Sequence, residues 1–140
     1  MTVLTEGAAA ETGTWVPAVE FGGTSTGITY GTQIGRYVRM GNLVYIEGSV
    51  VLTNNGSATG AMKITGIPFS QHLTQPPYPA LSVGNFSGFT GLEASGIRTL
   101  MISDAISLYD NTTAAITSIL DTNTTNTATV HFSGTYEAAQ

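Results

Sequence analysis

The sequence predicts an all-β chain. β-Branched and aromatic residues recur in short runs, Gly, Asn, Asp and Pro bound those runs, and no stretch sustains a helical period. Eight or so short strands at this spacing imply a β-sandwich or barrel.

Trp15 to Phe21 reads as a first strand; Pro17 suits an edge, and Gly22-Gly23 ends it. Gln33 to Met40 alternates Ile34, Arg36, Val38 and Met40 against Gln33, Gly35, Tyr37 and Arg39. Gly41-Asn42 then supplies a tight turn, so Leu43 to Thr53 reads as the second arm of a hairpin. Within that arm Glu47-Gly48 interrupts the apolar run, the mark of a bulge or of closely approached backbone. Asn54-Asn55-Gly56 supplies the next turn.

Ala61 to Thr65 is a short strand, and Gly66 to Phe69 turns it into a long irregular segment, His72 to Gly96, in which only Ala80 to Val83 reads as strand. Arg98 to Ser103 and Ala105 to Tyr109 form a hairpin pair. Ala114 to Leu120 fits a strand or one helical turn, and is taken as strand. The last strand, Thr127 to Tyr136, sets Ala128, Val130, Phe132 and Tyr136 against Thr127, Thr129, His131 and Thr135. One face is apolar and the other is wet. Residues 1–13 read as a flexible linker or connection, and residues 14–140 as a single module.

The chain has 140 residues and no cysteine, which excludes disulfides and thiolate metal sites. Charged residues are 9% of it, against about 25% in ordinary proteins. Its net charge is -5, and Arg36, Arg39, Lys63 and Arg98 are its four cations. No basic stripe is available for a phosphate backbone, so nucleic acid is a poor partner. No apolar run approaches the 18 or more residues of a spanning helix, and no membrane insertion is expected. The start, MTVLTEGAAAETG, has neither the basic region nor the apolar run of a signal peptide. If the protein works outside the cell that made it, lysis rather than secretion is the expected exit.

Catalytic chemistry finds little support. His72 and His131 lie far apart, and no Gly-x-Ser-x-Gly elbow occurs. Glycoside hydrolysis needs two carboxylates roughly 5–9.5 Å apart; Glu93, Asp104 and Asp110 are the candidates, and their spacing does not force them together. Gly88, Gly91 and Gly96 lack the Lys-Ser/Thr of a phosphate loop. Asn55, Asn85, Asn111 and Asn123 open Asn-x-Ser/Thr sequons, read here as turn residues. No enzyme activity, cofactor or metal is expected.

The suggestive constellation is aromatic. Tyr78, Phe86 and Phe89 fall where the strand pattern fails, with Pro76, Pro77 and Pro79 stiffening the presentation of Tyr78. A pyranose offers an apolar face to such rings, and Asn85 and Asp110 would partner its hydroxyls. Equally, a long loop needs anchors, and one or two of these rings would then plug the end of a sandwich. Residues 74–96 with the turn near Asp110 and Asn111 are the expected recognition surface.

From Gly13 to Phe69 the markers GTWVP, TQIGRY, RMGNLV, NNGSATG and GIPF, with FSGTYE at Phe132 to Glu137, together resemble a C-terminal module of bacteriophage tail fibres and tailspikes. Two departures stand out: Val16 replaces a Thr associated with this opening, and His72 to Gly96 matches nothing in the pattern. The resemblance implies a jelly-roll-like antiparallel β-sandwich, assembled as a homotrimer at the tip of the virion's tail fibre. It implies an upstream fibre or tailspike chain as partner and a contribution to host recognition, for which a bacterial surface polysaccharide is the expected ligand. A purely structural clamp that trimerises and caps the fibre shares the same fold.

Overall fold

The frame of the molecule is the long hairpin that the alternation from Gln33 onward predicts. In a computed structural model, which describes residues 10–72, 76–92, 96–110 and 116–139, its arms are β3 (Ile28–Met40) and β4 (Leu43–Asn55), with Met40 opposite Leu43. Gly41 turns the chain at φ 61°, backbone that a Cβ disfavours. Val44, Ile46, Val50 and Leu52 are buried on one face of β4, while Leu43 and Tyr45 stand exposed on the other. The first arm starts five residues before the expected Gln33, because register shifts around Tyr30 let pairing continue where alternation fails.

Further strands are β1 (Glu11–Trp15), β2 (Ala18–Phe21), β5 (Met62–Thr65), β6 (Ser82–Phe89), β7 (Ile97–Ile102), β8 (Ala105–Asp110), β9 (Thr117–Ser118) and β10 (Thr124–Glu137). All pairings are antiparallel. One sheet has the order β1-β3-β4-β10-β6, and the other β2-β5-β8-β7 with β9 beside β8. The protein is an all-β sandwich of two antiparallel sheets.

Three expectations need correction. The single strand Trp15 to Phe21 is two strands in different sheets, because Val16 and Pro17 carry the chain across at a point where proline has no N–H for a ladder. Glu11 to Gly13 belong to β1, opposite Arg39 to Tyr37, so strand structure begins inside the expected linker; residues 1–9 lie outside the described residues. The irregular segment contains the eight-residue strand β6. Its alternation is broken by register shifts against β10 between His131 and Phe132 and between Thr124 and Thr129, which place Val83 and Phe86 on the same face.

Two glycines set the spacing of the core. Trp15, Gly35, Gly48 and Phe132 form one row across the first sheet, all on its inner face. The Trp15 ring lies over Gly35 and the Phe132 ring over Gly48, with the ring centroids 5.9 Å apart. A Cβ on Gly48 would sit 2.4 Å from Phe132 Cζ. The interruption in β4 is therefore a close approach rather than a bulge.

The Gly66 to Phe69 exit closes one end of the sandwich. The Tyr136 hydroxyl donates to Phe69 O at 2.7 Å and accepts from Phe69 N at 3.2 Å. Burial pushes the Tyr136 phenol up to about 12. Phe69 also meets Tyr37 edge-on at 5.0 Å and carries the Arg39 guanidinium 4.4 Å above its ring. The Tyr37 hydroxyl donates to Glu11 Oε1 at 3.1 Å, and desolvation followed by that carboxylate raises its pKa.

Candidate functional site

The segment before β6 runs along the edge of the second sheet and builds a groove there. Met101 N–H donates to Pro79 O, Leu81 N–H donates to Thr99 Oγ1, and Thr99 Oγ1 donates to Leu81 O, each at 2.8 Å. Thr99 is buried, so these bonds fix Pro79 to Leu81 against β7 in a dry environment. Beside them lies a cavity of about 480 Å³, lined by Leu81, Val83, Arg98, Leu100, Tyr109 and Ile116 among others. Arg98 is directly opposite Tyr109 in the β7–β8 ladder, so both side chains share one face.

The five expected sugar contacts do not form one surface. Phe86 and Phe89 come together, ring centroids 6.3 Å apart, but on β6 rather than on a loop. Phe86 is opposite Val130 and Phe89 opposite Thr124, on the inner face, and Phe89 packs against the core. Asn85 is exposed on the other face, opposite His131. Tyr78 is half-buried in the stretch leading to the groove. Asp110 is 5% exposed at the end of β8 and already has a partner, so little of it is open to a ligand. Asn111, Glu93 and residues 74–75 lie outside the described residues.

Asp104 and Asp110 also fail as a glycosidase pair. They stand at opposite ends of β8, and six residues of extended strand separate them by roughly 20 Å. Asp104 occupies the β7–β8 turn with φ 64°, beside Ser103 at φ 51°, and accepts the Gln71 N–H at 2.8 Å. Among the described residues no group of three or more His, Asp or Glu could hold a metal, and no helix is long and apolar enough to cross a membrane.

The outer face of the first sheet is a second candidate surface that the expected site omits. Arg36 and Glu47 pair at 2.8 Å in its middle, and Tyr45 donates to Glu47 Oε2 at 3.3 Å. Ile34, Ser49, His131 and Asn85 form the adjacent row. A shallow depression of about 290 Å³ opens over Ile34, Arg36, Glu47 and His131. Around it Ile34 is 58%, Leu43 57% and Met40 45% exposed, and Val38 and Tyr45 stand side by side. The alternation of β3 had displayed this face without saying what covers it.

No protein-family model matches the chain. No curated protein sequence matches it either. Among solved structures it is similar to the Dettilon tailspike protein (gp208), with a TM-score of 0.68 and 16% identity, over 91% of this chain and 24% of that one. The fold is tailspike-related. This chain spans about a quarter of the tailspike's length, and at this identity the likeness is one of fold.

Proposed function

We propose that this chain is a non-catalytic module of a bacteriophage tailspike or tail fibre, carried on the virion as a homotrimer, which contributes to host attachment by binding bacterial surface polysaccharide. The observation that carries the reading is the likeness of nearly the whole chain to one part of a tailspike. A module of that kind would follow an upstream fibre or tailspike chain and work outside the cell that made it. The groove along β7 suits a glycan, because rigid walls and a ring beside polar groups are what a pyranose requires. A single shallow site at about millimolar Kd supplies roughly -4 kcal/mol. Three linked copies would raise avidity by roughly 10² to 10⁴.

A purely structural clamp is the second reading, favoured by the exposed apolar row on β3 and β4. An obligate interface is more hydrophobic than ordinary surface, and that row is suited to one. The experiment that separates the readings is binding of the intact oligomer to host cells before and after enzymatic stripping of surface polysaccharide. Binding that disappears on stripping supports attachment. An oligomer that never binds cells leaves the clamp.

A further inference from the structure

We propose that the groove between Leu81 and β7 takes a carboxylated sugar, with Arg98 holding the carboxylate and the Tyr109 ring lying against the pyranose. The proposal rests on the carbohydrate reading above and names the chemical class of ligand.

Arg98 stands apart from the other cations of this acidic chain. Arg36 is paired with Glu47 at 2.8 Å. Arg39 donates to Gly41 O at 2.8 Å and covers Phe69. Lys63 is exposed opposite Glu20 in the β2–β5 ladder. The Arg98 side chain is exposed, lines the cavity, and makes no hydrogen bond or ion pair among the described residues. Its five N–H donors are thus left for an acceptor from outside, and a planar guanidinium matches a carboxylate in bidentate geometry.

The rest of the groove fits a sugar better than a free anion. Its volume of about 480 Å³ falls within the roughly 300–1,000 Å³ of small-molecule sites. Leu100 and Ile116 give it an apolar wall, and Tyr109, opposite Arg98, sets a ring beside the charge. The Thr99 hydroxyl is already committed to Leu81, so it holds the wall in place. A ligand with one apolar face and one carboxylate satisfies both halves of this surface, whereas a neutral hexose leaves Arg98 without a counter-charge.

The test is calorimetric titration of the intact oligomer with a panel of uronate- and sialate-containing oligosaccharides and with the same glycans after reduction of each carboxylate to the alcohol. Binding is expected to the carboxylated glycans, at least about tenfold weaker after reduction, since a hydrogen bond to a charged group contributes about 1.5–3 kcal/mol. It should also weaken with added salt. Arg98→Gln should weaken acidic-glycan binding about tenfold with no change in melting temperature, and Arg98→Lys should restore part of it. Equal binding to carboxylated and reduced glycans overturns the acidic specificity and leaves the carbohydrate reading standing. No binding to any glycan, acidic or neutral, overturns both.

Discussion

Gln71 and Asp104 are bonded to each other's backbone: Gln71 N–H donates to Asp104 Oδ1 at 2.8 Å, and Asp104 N–H donates to Gln71 Oε1 at 3.0 Å. Gln71 Nε2 adds a bond to Met101 O at 3.2 Å. The buried amide thus ties the segment after Phe69 to the β7–β8 turn, where two consecutive residues adopt left-handed backbone. An aspartate that suggests catalysis in the sequence is a turn residue in the structure. Gln71→Ala should cost about 1–3 kcal/mol, because it removes the partner of the part-buried Asp104 N–H and of the buried Met101 carbonyl. Urea denaturation of the variant checks this, and a change below about 0.5 kcal/mol would show that water replaces the amide freely.

The row Trp15, Gly35, Gly48 and Phe132 makes a second prediction. Gly48→Ala forces a methyl into the Phe132 ring, and overpacking of this kind costs about 1–3 kcal/mol. Phe132→Leu alone should also destabilise, by loss of packed volume. In the double variant the methyl has room, so the two costs should fall short of additive in a double-mutant cycle. Strict additivity would mean that the ring and the glycine do not sense each other.

The Tyr136 hydroxyl gives a pH dependence. Its folded pKa of about 12 lies above the ordinary value of 10.0, so the fold favours the protonated phenol. That contribution is fully present below pH 10 and is lost as the pH rises through 12. Tyr136→Phe should cost about 1–2 kcal/mol at pH 7 by removing the partner of both Phe69 backbone groups. The gap in melting temperature between wild type and variant should then narrow between pH 10 and 12. A gap that stays constant there would contradict the assignment.

Much of this architecture is legible in the sequence where alternation is unbroken. β3, β4, β7 and β10 lie within about five residues of where their patterns place them, because each buries mainly one face and so keeps a period of two, while β8, buried on both faces, is legible as the partner of β7 across a two-residue turn. β6 is illegible because register shifts against β10 break its period and glycines lower its strand signal. The pairing of Arg98 with Tyr109 was within reach: a two-residue turn at Ser103 and Asp104 fixes the whole register of β7 and β8. The inward course of Phe89 was not. It depends on which sheet β6 joins, a long-range choice that no local pattern records.

The proposed trimer is testable through the exposed apolar row. Light scattering across a size-exclusion peak should give three times 14.5 kDa. Val38 is opposite Tyr45 and Met40 opposite Leu43, so Val38→Lys with Leu43→Lys places two charges in the middle of that surface. The variant should elute as a monomer with an unchanged β circular dichroism spectrum, because neither side chain is in the core. A double variant that remains trimeric would move the interface to another face.

The aromatic residues of the β6 region are all half-buried but divide by whether they pack against the core, and that division should appear in cell binding and stability measured together. Phe89 packs against the core, so Phe89→Ala should lower stability by about 2–4 kcal/mol, toward the lower end of Phe→Ala costs because the ring is only half-buried. Tyr78 lies in the stretch that approaches the groove, and its hydroxyl makes no hydrogen bond among the described residues. Tyr78 is not among the hydrophobic side chains packed against the core, so Tyr78→Ala should change the melting temperature less than Phe89→Ala while reducing attachment to host cells. Asn85 stands on the opposite face from the Phe86 and Phe89 rings, so Asn85→Ala should spare both stability and any binding that uses the β7 groove. If Tyr78→Ala destabilises the oligomer and leaves attachment intact, that ring is an anchor. The contact surface for the host would then have to be sought on the outer face of the first sheet, around Arg36 and His131.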